Sequence, residues 1–70
     1  MSNEEFGKWL LDQMIEKNLN CFQLAKMAGM THVTIGYYIT GTRSPTFWSL
    51  NKILDALGKK MIIVDKEENQ

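Results

Sequence analysis

Residues 20–41, NCFQLAKMAGMTHVTIGYYITG, decide the fold of this 70-residue chain. Asn20 is a good N-cap for a short helix over residues 21–28, and Gly29 is suited to ending that helix. Thr31 is a good N-cap for a second helix. The stretch therefore predicts two short helices joined by a turn of three residues that contains a glycine.

The apolar residues of this stretch show which side of each helix faces the core. In the second helix they follow the spacing i, i+3, i+4, which is typical of an amphipathic helix. The inner positions are Leu24, Ala25 and Ala28 in the first helix and Ile35, Tyr38 and Ile39 in the second. The second helix extends to about Thr40, and Gly41 stops it. Two helices joined in this way form a helix-turn-helix unit, whose second helix lies in the DNA major groove.

Helical patterns continue on both sides of the unit. Phe6, Leu10 and Met14, with Trp9 and Ile15 beside them, predict a first helix over about residues 4–17. Thr46 is a good N-cap for a fourth helix over residues 47–57. Its expected inward residues are Phe47, Leu50, Ile53, Leu54 and Leu57. We therefore expect a compact all-α domain of four helices, or of five if one more short turn forms.

The C-terminal segment has a different character. Residues Met61, Ile62, Ile63 and Val64 are mostly β-branched and too few for a helix, so they predict a short C-terminal β-strand. A lone strand is unstable. It either lies over the core or pairs with a second copy in a homodimer, which we favour because an unpaired edge invites association. The predicted division is a helix-turn-helix domain over residues 1–58 and a strand and tail over residues 59–70, a candidate dimerisation element.

Charge is distributed unevenly although the net charge is zero. Residues 19–54 contain no aspartate or glutamate, and Lys26, Arg43 and Lys52 give this segment three positive charges. Because a phosphate backbone repels carboxylates, such a segment suits contact with DNA. A chance gap in a short chain is the alternative interpretation.

The outer face of the second helix carries the candidate base-contacting residues. His32 can donate to or accept from a purine edge, and Val33 can pack against a thymine methyl group. Gly36 costs this helix about 1 kcal/mol relative to alanine, but it lets the backbone approach a partner closely. Tyr37 could reach a phosphate or a base. The alternatives are an ordinary surface imidazole for His32 and a packing role for Tyr37.

The segment from Leu19 to Thr31, together with the residues that follow it, resembles the phage repressor/Cro (XRE) helix-turn-helix family, the lambda-repressor-like domains. The residues that carry the resemblance beyond this segment are Ile35, Gly41, Pro45, Ala56, Leu57 and Gly58. The resemblance covers about residues 6–58. It implies recognition of an operator by the third helix of the chain and, usually, a two-fold dimer.

Carried over residue by residue, the resemblance implies two sets of DNA contacts. Base contacts fall to Thr31, His32, Val33 and Tyr37. Contacts with the DNA backbone are assigned to Cys21, Thr40, Thr42 and Arg43. Many members have a glutamine at the position of Cys21, and the phosphate contact of that side chain is lost here, so Cys21 would act mainly through its main-chain N–H. Met14 and Ile39 replace an arginine–glutamate pair that many members bury, and such a swap can be neutral or stabilising.

Three function classes compete. The leading one is a homodimeric transcriptional regulator that occludes a promoter, most simply a repressor binding double-stranded DNA. The alternatives are the antitoxin of a toxin–antitoxin pair, with Trp9, Phe22 or Trp48 contacting the toxin, and an interaction module without DNA binding.

An enzyme is disfavoured, since one histidine and one cysteine leave no triad, acid–base pair or metal cluster to assemble. We therefore expect no cofactor and no metal. The lone cysteine favours a reducing cytoplasm, and the longest apolar run, residues 61–64, is too short to span a membrane.

Overall fold

The computed structural model of the chain describes residues 1–67, and within them it contains four α-helices. They are α1 (Asn3–Glu16), α2 (Cys21–Ala28), α3 (His32–Ile39) and α4 (Phe47–Ala56). The four predicted helices are confirmed, each with its ends within one residue of the expected ones, and the described residues contain no fifth helix. Within these residues, no helix is both long enough and apolar enough to cross a membrane.

Each helix begins at a polar side chain that accepts a hydrogen bond from a backbone N–H three residues later, as good N-caps do. The caps are Ser2, Asn20, Thr31 and Thr46. Asn20 forms a reciprocal capping box with Gln23, with both backbone-to-side-chain distances at 2.8 Å. The sequence identified three of the four caps, and it did so because capping depends only on residues within one turn.

The cap of α1 is also a capping box, in which the backbone N–H of Ser2 donates to the Glu5 carboxylate at 2.9 Å. This hydrogen bond, with further help from the Ser2 hydroxyl and the N-terminal amine, lowers the pKa of Glu5. A carboxyl whose pKa is lowered on folding stabilises the fold above its unfolded pKa, and this stabilisation is lost as the pH falls through the folded value. The cap therefore stays closed at neutral pH.

The core lies where α1, α2, α3 and α4 converge. Its buried residues are Leu10, Met14, Leu24, Ala25, Ala28, Ile35, Tyr38, Ile53 and Leu57. The predicted inner face of α2 is confirmed in full, and so are Ile35 and Tyr38 of α3. The inward placement of Phe47 is wrong, because this side chain is 57% exposed. Phe47 is the first residue of α4, ahead of the part that reaches the core, and its ring packs edge-on against Trp48.

Gly7 lets α1 lie directly against the C-terminal end of α3. A Cβ atom at this position would be 2.2 Å from the carbonyl oxygen of Ile39 and 2.7 Å from that of Tyr38. Both neighbours are backbone atoms, which cannot rotate away as a side chain could. The contact fixes how α3 is seated on the rest of the domain.

We expect Gly7→Ala to destabilise the fold by about 1–3 kcal/mol, the usual cost of forcing extra atoms into a closed contact. The measurement is the free energy of unfolding from denaturant titration. Gly36→Ala is the matched control, because a Cβ at Gly36 meets nothing within 4 Å and alanine is favoured in helices by about 1 kcal/mol. Equal unfolding midpoints for Gly7→Ala and the unchanged protein would contradict the close contact.

The predicted C-terminal strand is wrong, since residues 59–67 form neither helix nor strand. A strand needs the backbone of a neighbouring strand to satisfy its hydrogen bonds, and the described part of this chain offers only helices. The local β-propensity of Met61–Val64 is therefore not sufficient to form a strand. Ile62, Ile63 and Val64 are instead 69%, 95% and 73% exposed. The last three residues of the predicted 59–70 tail lie outside the described residues.

Candidate nucleic-acid interface

The turn between α2 and α3 is closed by local hydrogen bonds. Gly29 adopts the left-handed conformation (φ 68°, ψ 38°) that ends α2, a conformation that costs a glycine little. The backbone N–H of Met30 then donates to the carbonyl of Ala25 at 2.9 Å. Thr31 caps α3 at once, so its hydroxyl accepts from the Thr34 N–H at 3.2 Å. Buried residues on both helices hold α2 and α3 at a fixed angle.

The N-terminal end of α3 faces away from the core. Thr31, His32 and Val33 are all exposed there. Tyr37 lies one turn beyond Val33 on the same side of the helix, about 6 Å further along the axis. The structure therefore exposes Thr31, His32 and Val33 around the start of α3 and leaves Tyr37 half-buried one turn later, with no side chain at Gly36 to fill the space between them.

His32 does not project alone from this face. Its imidazole stacks on the ring of Phe22, the second residue of α2, with ring centroids 4.1 Å apart and an interplanar angle of 28°. Phe22 is 64% exposed and belongs to no part of the core. The stack crosses the turn and joins the starts of the two helices.

Arg43 and Tyr37 form a second pair at the other end of α3. The guanidinium carbon of Arg43 lies 4.3 Å from the centre of the Tyr37 ring, within the range of a cation–π contact. The Tyr37 carbonyl also accepts from the backbone N–H groups of Thr42 and Arg43, at 2.9 and 3.3 Å. The only arginine of the chain is thus anchored to α3 through both its backbone and its side chain.

The comparison with known families agrees with this geometry. The family model described as Helix-turn-helix matches residues 14–63, which is most of the chain and includes α2, the turn and α3. The chain belongs to the helix-turn-helix family. It is a DNA-binding regulator of the XRE kind, and the family is a regulatory one and not a family of enzymes. No curated protein matches the chain.

The predicted backbone-contacting residues of this helix-turn-helix protein lie at the two ends of the unit. Cys21 is the first residue of α2, and its side chain packs against the core, so only its backbone N–H is directed along the start of the helix. Thr40 and Thr42 flank the end of α3 with their hydroxyl oxygens 2.7 Å apart. Phosphate contact by these residues stays a prediction.

The two threonine hydroxyls already have partners within the helix-turn-helix domain. The Thr40 hydroxyl donates to the carbonyls of Gly36 and Tyr37 at 3.1 and 3.3 Å. Its proton is therefore occupied, and the Thr42 hydroxyl is left to donate to Thr40. Arg43 has no such competing hydrogen bond among its contacts in the described residues. Of the three, Arg43 is the one that carries a charge.

The start of α1 packs against the loop after α3, which the sequence analysis did not foresee. The Ser44 hydroxyl donates to the side-chain oxygen of Asn3. A Cβ at Gly41 would lie 3.3 Å from the Cα of Glu4. The segment that lacks carboxylates in the sequence therefore has a glutamate beside it in space. Only the packing of α1 on this loop could reveal that neighbour.

The part of the chain that the structure describes also contains no group of three or more histidine, cysteine, aspartate or glutamate residues that could hold a metal ion. The stack of Phe22 on His32 was not predicted from the sequence, where Phe22 was considered only for contact with a protein partner. No local sequence signal pairs Phe22 with His32, because the contact depends on how α2 and α3 pack.

Proposed function

We propose that this helix-turn-helix protein is a sequence-specific transcriptional repressor that binds a two-fold operator as a homodimer. The observation that carries the proposal is the open N-terminal end of α3, where Thr31, His32 and Val33 are all exposed. In this class of protein the recognition helix enters the major groove with its N-terminal residues against base edges. Residues 1–58 form the DNA-binding domain in this proposal.

Each base-contacting residue has a distinct task. The imidazole edge of His32 donates to a purine acceptor, and Val33, 49% exposed, packs against a thymine methyl group. The hydroxyl of Thr31 is occupied by its capping bonds to Thr34, so its methyl group is the part available to a base. Tyr37 approaches the neighbouring base or phosphate, and the absent side chain of Gly36 lets α3 sit close to the DNA.

Backbone contacts clamp the recognition helix from both sides. The N–H of Cys21 donates to one phosphate, as the first N–H groups of a helix commonly do. Arg43, supported by Thr40 and Thr42, neutralises another phosphate beyond the C-terminal end of α3. These contacts set the register of α3 in the groove and carry no sequence information themselves.

Dimerisation is assigned to the exposed apolar residues Met61, Ile62, Ile63 and Val64. Contiguous exposed apolar side chains commonly mark an interaction site. Two copies related by a two-fold axis would each present α3 to one half-site of a palindromic operator, with half-site centres about 34–36 Å apart. A dimer seated on a promoter blocks polymerase from the same DNA, and repression follows.

The proposal is tested by selecting binding sites from a random duplex library with the purified protein at low salt. We expect an enriched two-fold motif with half-sites about one helical turn apart. The double variant His32→Ala, Val33→Ala is the matched control and should enrich nothing comparable. A folded protein that enriches no motif would overturn sequence-specific repression.

An antitoxin is the second candidate, favoured by the exposed aromatic pair at the start of α4. Phe47 and Trp48 are 57% and 73% exposed and contact each other edge-on, whereas Trp9 packs against the core. If a neighbouring gene encodes a toxin, co-expression should protect cells. Trp48→Ala should then remove protection and keep operator binding. Protection that survives this substitution would remove the argument for a toxin surface here.

We expect Arg43→Ala to weaken binding to all DNA sequences by a similar factor. Loss of one phosphate contact should reduce the slope of log K against log salt by about 1. The measurement is fluorescence anisotropy with the operator and with random duplexes across a salt series. Lys52→Ala, which removes an exposed charge of α4, is the control. An Arg43→Ala protein with unchanged slope but altered base preference would instead make Arg43 a base-reading residue.

A further inference from the structure

Phe22 places a large apolar side chain where the core makes no use of it. It is the second residue of α2 and 64% exposed, and a ring with that exposure gains little from packing inside its own domain. Its aromatic contact is with His32, the first residue of α3. The one aromatic partner of this exposed ring among the described residues is therefore a proposed base-reading residue.

The geometry of the stack restricts the imidazole. With ring centroids 4.1 Å apart and an angle of 28° between the rings, one face of His32 is covered by Phe22. Tilting the ring about the side-chain bonds of His32 would break the stack, so the plane of the imidazole is held, and only a half-turn flip within that plane leaves the stack intact. Its nitrogen-bearing edge stays uncovered, and this edge is the part of an imidazole that can donate to a base.

Holding a side chain in its binding orientation before the ligand arrives reduces the entropy lost on binding. The ordering of one mobile side chain typically weakens binding by about 2- to 10-fold, so a pre-ordered one avoids that loss. The advantage applies only to the base that the ring reads, because phosphate contacts elsewhere do not depend on the orientation of His32.

We propose that Phe22 is a positioning residue for base recognition, which holds the His32 imidazole edge toward a purine in the major groove. The inference rests on the proposed function, since it needs His32 to contact a base. The chemistry recognised is the N7 acceptor of the purine, for which an imidazole N–H is a suitable donor. Phe22 itself contacts no base in this proposal and acts through His32 alone.

The test uses the full chain and an operator half-site taken from library selection. Phe22→Leu keeps an apolar side chain and removes the aromatic stack, whereas Phe22→Tyr keeps the stack. The affinity of each variant is measured by fluorescence anisotropy on three duplexes. They are the selected duplex, random DNA, and the selected duplex with 7-deazapurine at one position, namely the position at which His32→Ala abolishes the base preference. Because Phe22 is largely exposed, both variants should fold, which thermal unfolding checks.

We expect the unchanged protein to prefer the natural purine over 7-deazapurine by about 3- to 10-fold, the worth of one hydrogen bond. Phe22→Leu should lose most of this ratio without a change on random DNA, and Phe22→Tyr should retain it. In the His32→Ala background, Phe22→Leu should have no further effect on the ratio. This rescue and this coupling would not arise from a purely structural role.

Two kinds of failure are distinguishable. If the unchanged protein selects no motif, both the proposed function and this inference are wrong. If His32→Ala relaxes the motif while Phe22→Leu keeps the full ratio, only the positioning role fails, and Phe22 is then better explained as a contact for a protein partner. An equal loss on random DNA, or no preference of the unchanged protein for the natural purine over 7-deazapurine, would also overturn the inference.

Discussion

His32→Ala should reduce operator affinity by about 5- to 100-fold per half-site, the usual worth of a good base contact. Binding to random duplex DNA should change by less than about 2-fold, because that binding depends on phosphate contacts. The expected result is therefore a loss of specificity without a loss of general affinity. Anisotropy titrations on the selected operator and on a scrambled duplex of equal length measure both quantities.

The matched control for His32→Ala is Met27→Ala on α2. Met27 is also exposed, at 55%, and it is not among the proposed contacts, so its removal should leave both affinities unchanged. A second variant, His32→Gln, replaces the imidazole with a side chain that pairs well with adenine. It should shift the preferred base at one position. A parallel fall in both affinities for His32→Ala would mean that His32 supports the fold or contacts a phosphate.

Removing the apolar C-terminal residues should convert the protein to a monomer and lower operator affinity by about 100-fold or more. A dimer binds its second half-site at the high effective concentration set by the first, and a monomer loses that advantage. The variants are deletion of residues 60–70 and the triple substitution Ile62→Ser, Ile63→Ser, Val64→Ser. Light scattering gives the mass in solution, and anisotropy on full operators and single half-sites gives the affinities.

The control for the tail variants removes exposed apolar area elsewhere. Leu11 and Ile15 of α1 are 41% and 68% exposed, and Leu11→Ser with Ile15→Ser should leave both the dimer and the operator affinity intact. Affinity for a single half-site should be the same in all of these proteins. A triple-serine protein that remains a dimer by light scattering would show that residues 61–64 do not hold the subunits together.

The helices could be predicted from the sequence because their signals are local. Asn20, Thr31 and Thr46 satisfy backbone N–H groups within three residues, and capping of this kind requires nothing from the rest of the chain. The apolar spacing of α2 and α3 placed their buried faces for the same reason. The location of Thr31, His32 and Val33 at an exposed helix start followed directly from the turn.

Elements that depend on a partner were not determined by the sequence. Residues 61–64 have strand-like composition, but a strand exists only where another strand accepts its hydrogen bonds, and the described residues provide none. The prediction that Phe47 is buried was wrong for a similar reason. Periodicity indicates which residues share a helix face, but it does not indicate how far along the helix the core extends.

The sequence by itself determined four helices, three of their four N-caps, the glycine-containing turn and the residues exposed at the start of α3. The tertiary structure alone decided that Phe22 stacks on His32, that Arg43 lies over Tyr37, and that Gly7 lets α1 contact the end of α3. Hydrogen bonds within one turn are set by neighbours in the chain. Contacts between helices are set by how the buried faces pack in three dimensions, which no local pattern specifies.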